Sequence, residues 1–154
     1  MKLPNFEALG DPAIDLFGLK LWIHGRQFPN ATDFWDGNWL RVTAILSTPR
    51  SMVRTEGPII HLREIYALKS ECEKLYETLS GNAKLSCLEP NLSVNIVAGT
   101  GGHMEVEVSV VPDQFTERHE YKATSDQTYL PRIIRACETI LEQYPIREPE
   151  QLRA

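Results

Sequence analysis

Phe17, Leu19, Leu21 and Ile23 alternate with Gly18, Lys20, Trp22 and His24. A period of two marks a strand that lays one face on a core. Residues 25–37 hold turn formers: Gly25, Pro29, Asn30, Asp33, Asp36 and Gly37. A second strand runs from Trp39 to Ser47, with Leu40, Val42, Ala44 and Leu46 on one face and Trp39, Arg41, Thr43 and Ile45 on the other. Pro49-Arg50-Ser51 turns the chain, and Met52–Glu56 returns as a third strand that Gly57-Pro58 ends.

From Leu62 the period changes to 3.6. Leu62, Ile65, Leu68, Cys72, Leu75 and Leu79 form one stripe with Tyr66 and Tyr76 beside it, and charged residues fill the opposite side. This predicts a one-sided helix of about five turns. Gly81 marks its end, where glycine tolerates a left-handed residue, and its start offers no obvious cap. Short strands follow at Lys84–Glu89, Leu92–Val97, Met104–Val110 and Glu117–Thr124, separated by turns at Pro90-Asn91, Gly99-Thr-Gly-Gly102 and Pro112-Asp113. A second helix covers Tyr129–Gln143, with Leu130, Ile133, Ile134, Cys137, Ile140 and Leu141 on its stripe. Pro131 fits the first turn, where its missing N–H costs nothing, and Thr128 is the expected N-cap.

These elements predict an α+β fold of two layers. A mostly antiparallel sheet of about six or seven strands carries two helices on one face. The 154 residues read as a single domain, with residues 1–13 as a loosely attached arm and residues 146–154 as a fraying polar tail.

Charge and cysteine content narrow the function classes. The net charge is −5, with nine basic and ten acidic residues in the first 80 positions and seven and eleven thereafter. No basic stripe suits nucleic acid. Cys72, Cys87 and Cys137 form neither a C-x-x-C nor an even framework, so no zinc knuckle or disulfide scaffold is expected. No signal peptide and no run of ~18 apolar residues is visible, so no membrane association is expected and the cytoplasm is the expected location.

A search for chemistry returns no assigned catalytic, cofactor or metal site, and no enzyme activity is expected. His24, His61, His103 and His119 have no metal-ligand spacing, and no G-x-S-x-G occurs. Gly99–Gly102 precedes a strand rather than a helix, so it reads as a hairpin turn and not a phosphate loop. Glu105 and Glu107 lie two apart on a strand and read as solvated carboxylates.

One segment stands out. Asp33-Phe34-Trp35-Asp36-Gly37-Asn38-Trp39 places two of the three tryptophans and two acids within seven residues. Aromatics in such a loop close the end of a core or anchor an interface. With Ile23-His24-Gly25-Arg26-Gln27-Phe28-Pro29 before it, this segment resembles the opening of bacterial polymorphic-toxin immunity proteins of the WapI type. Leu88-Glu89-Pro90-Asn91-Leu92, Gly102-His103 and Asp126-Gln127-Thr128-Tyr129-Leu130 resemble later landmarks of that family. The resemblance spans about residues 16–142. It implies a small cytoplasmic protein that binds and blocks a cognate toxin domain, without catalysis or cofactor.

The residues expected at such an interface are Asp33, Trp35 and Asp36 in the aromatic segment and the carboxylates Glu105, Glu107 and Glu117. An alternative reading is a small-ligand-binding domain or an enzyme near Trp35/His103, with Trp22, His24 and Asp36 converging on the same pocket. A third is a structural dimer module.

Overall fold

The period-two segments become eight strands in the computed structural model, which describes residues 6–153. β1 (Ile14–Leu16), β2 (Leu19–Arg26), β3 (Trp39–Ser47) and β4 (Met52–His61) form one antiparallel sheet in that order. β5 (Asn82–Ser86), β6 (Leu92–Ala98), β7 (His103–Asp113) and β8 (Glu117–Asp126) form a second. Three helices complete the fold: α1 (Phe34–Gly37), α2 (Leu62–Thr78) and α3 (Leu130–Gln143). The fold is α+β and antiparallel, as expected; the strands number eight and divide into two sheets of four.

α2 and α3 bury the stripe their sequence marks except at Leu79, which lies just past α2 and is exposed. Leu62, Ile65, Leu68, Cys72 and Leu75 of α2 meet Leu130, Ile133, Cys137 and Ile140 of α3 in one core with the inner faces of both sheets. Each buried Leu or Ile contributes roughly 1.5–3 kcal/mol. Burial pushes the thiols of Cys72 and Cys137 up to about 12, so both remain protonated packing groups.

The structure corrects several boundaries. The alternating run around residue 17 is a hairpin rather than one strand: Phe17 and Gly18 take positive φ, and Leu16 pairs with Leu19. Gly57-Pro58 does not end β4. Leu40 pairs with Ile60 and Val42 with Gly57, so the extra residues bulge out and the strand continues to His61. β4 lies at a sheet edge, where proline's missing N–H breaks no ladder. β5 spans Asn82–Ser86 rather than Lys84–Glu89. The left-handed cap of α2 falls on Leu79 (φ 52°), ahead of Gly81.

Thr128 is not the cap of α3. It lies inside a 3-10 turn, Gln127–Tyr129, whose cap is Asp126, and the Thr128 N–H donates to the Asp126 carboxylate at 2.8 Å. Pro131 does sit in the first turn of α3.

Residues 10–13 and the C-terminal segment are attached. Residues 1–5 of the expected arm lie outside the described residues, but Trp22 Nε1 donates to the Gly10 carbonyl at 3.0 Å. At the other end, the Pro145 and Arg147 carbonyls and the Arg147 N–H are all hydrogen-bonded, and Pro149–Arg153 forms a 3-10 turn. The expected fraying is replaced by a clamp, because this segment supplies partners to the buried polar group Asn38.

Candidate functional site

The tryptophan segment folds into a short helix because Asp33 caps it. The Asp33 carboxylate accepts from the Asp36 N–H at 3.0 Å, which turns Phe34 inward and leaves Trp35 half exposed. Gly37 closes the turn in tight space: a Cβ there would stand 2.8 Å from the Ala31 carbonyl oxygen. Asn38 is fully buried. Its amide donates to the carbonyls of Phe34 (2.7 Å) and Arg147 (2.9 Å), and its oxygen accepts from the Arg147 N–H at 2.9 Å.

His61 supports the turn from below. The β4 bulge carries it opposite Trp39, where its ring lies 5.0–5.6 Å, centroid to centroid, from Phe34, Trp35 and Trp39. Its Nε2 is 3.1 Å from the Phe34 carbonyl and 3.2 Å from that of Trp35, and its Nδ1 accepts from the Arg63 N–H. Two acceptors at Nε2 and a donor at Nδ1 fix the neutral tautomer with the proton on Nε2. Burial lowers the His61 pKa below its ordinary value, and the nearby Arg63 charge lowers it further.

His61 also caps α2, with Glu64 as its reciprocal partner. Glu64 accepts from the His61 N–H and, with its other oxygen, from the Leu88 N–H, both at 2.8 Å. This is a capping box with histidine in the usual serine or threonine place. Burial raises the Glu64 carboxyl above its ordinary range, and the two N–H donors oppose that rise.

Above this support lies a groove of about 580 Å³ between α1, the first turns of α2, the end of β5 and the C-terminal 3-10 turn. Trp35, Tyr66 and Leu152 give it apolar walls, and Glu71 and Gln151 a polar margin. Arg63 places its guanidinium carbon 5.0 Å from the Trp35 ring centre, a cation–π pair that fixes the exposed indole. Half-exposed Trp and Tyr beside an Arg are the residue types that dominate protein interfaces. Sequence reading placed Arg63 on the polar side of α2 and missed the contribution of Leu152. Tyr66 on the margin of the stripe was the one available signal.

The other expected site residues lie elsewhere. Asp36 is exposed on α1. Glu105 and Glu107 stand on the outer face of β7 and Glu117 begins β8; none of the three lines the groove. Glu107 lies 3.6 Å from Lys122, and Glu117 bonds His119 at 2.8 Å.

The alternative ligand pocket does not form as expected. Trp22 is buried, His24 bonds Thr43 at 2.7 Å, and neither they nor His103 line the groove that holds Trp35. Among the described residues, no group of three His, Cys, Asp or Glu side chains is arranged to hold a metal ion.

A sequence model of the immunity protein WapI-like family matches residues 13–145, most of the chain. The chain belongs to the WapI-like immunity protein family. No curated protein and no solved structure matches it. The WapI-like match takes in α1, the His61–Glu64 box and the β7–β8 hairpin, and ends at Pro145, where the clamp begins. No helix among the described residues is long and apolar enough to cross a membrane.

Proposed function

We propose that this chain is an immunity protein that neutralises a cognate toxin domain in the cytoplasm by binding it directly, without catalysis. Family membership across residues 13–145 is the observation that carries this reading. The groove beside Trp35 is its docking centre: an indole held between His61 and Arg63 presents apolar area without losing side-chain freedom on binding. Asp33 and Asp36 form the polar rim of that contact. Glu105, Glu107 and Glu117 form a second, electrostatic contact that steers a basic toxin surface toward the protein.

The test is capture of the toxin domain by the tagged protein, followed by binding kinetics. Stoichiometric capture and protection of cells expressing the toxin are expected. Trp35→Ala should raise the dissociation rate roughly 30-fold or more, as loss of an interface anchor does. Glu105→Lys/Glu107→Lys should slow association and weaken its salt dependence. A Trp35→Ala protein that is folded and binds like the wild type removes the groove from the interface. Unchanged association in the double variant removes the steering contact.

A further inference from the structure

Three of the four sheet edges are short or covered. β1 has three residues and lies against α3, β5 lies against α2, and β4 approaches β7. β8 differs: it is ten residues long, contains no proline, and among the described residues only β7 runs along it. An uncovered edge of this length offers a row of unpaired N–H and C=O groups to another strand.

The side chains of β8 select which strand. Even-numbered residues, including Arg118, Glu120, Lys122 and Thr124, are exposed on the outer face. Odd-numbered residues, including Tyr121 and Ala123, turn toward the core. Two copies paired antiparallel about a two-fold axis keep like faces together only when paired residue numbers sum to an even value, because a one-residue slip exchanges the faces.

Among those registers, one sets Tyr121 opposite Tyr121 on the axis. It places Glu120 opposite Lys122 of the second copy, and Lys122 opposite Glu120, and engages β8 from residue 117 to residue 125. Shifting the axis to Glu120 opposes Glu120 to itself and Arg118 to Lys122. Shifting it to Lys122 opposes Lys122 to itself. Shifting it to Ala123 opposes Glu120 to Asp126. Moving it to His119 pairs Arg118 with Glu120 but leaves only residues 117–121 of β8 paired with β8.

We propose that β8 pairs with β8 of a second copy of this chain in the register centred on Tyr121, joining two four-stranded sheets into one of eight. Lys122 then stands between Glu107 of its own β7 and Glu120 of the second copy, so that charges alternate across the outer face. Phe115, 87% exposed, stands at the hairpin tip beyond the paired residues. Its turn is already fixed, since the Asp113 carboxylate accepts from the Phe115 and Thr116 N–H groups. The pairing does not depend on toxin binding.

Sedimentation equilibrium on the purified chain, from micromolar to about 1 mM, tests it with a charge swap. The wild type should show a reversible monomer–dimer equilibrium. Glu120→Lys alone and Lys122→Glu alone each oppose like charges twice and should weaken the dimer roughly tenfold. The double variant Glu120→Lys/Lys122→Glu restores both pairs and should recover wild-type association, and mixing the two single variants should give a heterodimer. Circular dichroism checks that each variant is folded. A wild type monomeric throughout that range overturns the proposal, as does a dimer indifferent to the single swaps or a double variant that fails to recover.

Discussion

His61 performs three tasks with one ring: it caps α2, holds the α1 carbonyls and supports three aromatic rings. The cap requires the neutral form, because protonation would set a second N–H against the Arg63 N–H. Unfolded, the imidazole takes up a proton near its ordinary pKa of 6.5; folded, it does so only at lower pH. The unfolded chain therefore binds more protons in that window, and stability falls as pH drops from about 6.5 toward the folded pKa. Glu64, with its raised carboxyl, contributes in the opposite sense. Comparison with His61→Gln isolates the histidine: the wild type should lose more stability than the variant between pH 7 and 5.5, and NMR titration should find His61 the neutral Nε2–H tautomer at pH 6.5. Sequence reading found no metal-ligand spacing for His61 and gave it no role. The His-x-x-Glu spacing of a capping box was present, but histidine lies outside the usual capping residues and the partner carbonyls come from 26 and 27 positions away.

Elements were legible wherever side-chain periodicity decides them, and illegible where the backbone departs from it. The stripes of α2 and α3, Leu79 apart, and the alternation in β7 appear in the structure as read. The β1–β2 hairpin was hidden because Phe17 continues the apolar alternation through the turn, while its ring stacks on Tyr129 at 4.2 Å. Gly18 is the residue that permits the turn: its φ is +100°, and a Cβ would stand 2.9 Å from the Ser47 carbonyl oxygen. Gly18→Ala should destabilise the fold by about 1–3 kcal/mol, read as a lower denaturant midpoint with an unchanged slope. The bulge in β4 was misread as a strand end for a related reason, since a Gly-Pro pair signals a break equally well in either case. The candidate site depends on that difference, because a strand ending at Gly57 would not deliver His61 to Trp39.

At the scale of the whole molecule, the fold class was readable and the division into two sheets was not. Strand periodicity says which face is buried but not which edges pair, and α2 separates β4 from β5 without disturbing either pattern. The segment Asp33–Trp39 was likewise visible as a cluster, while its attachment to the C-terminal residues was not, since polar residues such as Asn38 and Arg147 carry no periodic signal. Asn38→Ala should strand the Arg147 N–H and C=O, cost about 1–3 kcal/mol, and speed trypsin cleavage after Arg147 in the folded protein.

The Asn38–Arg147 contacts join residues 109 apart in sequence. A closure of that span carries a chain-entropy cost that nearby contacts do not, and it is met only after the intervening sheets have shortened the path. Residues 147, 151 and 152 follow every strand of both sheets in the chain, so the clamp and the wall that Gln151 and Leu152 add to the groove are made after the residues of the sheets. The Trp35 surface is thus completed later in the chain than the sheets that carry it. A chain stopped short of residue 147 has every strand of both sheets and lacks one wall of the groove.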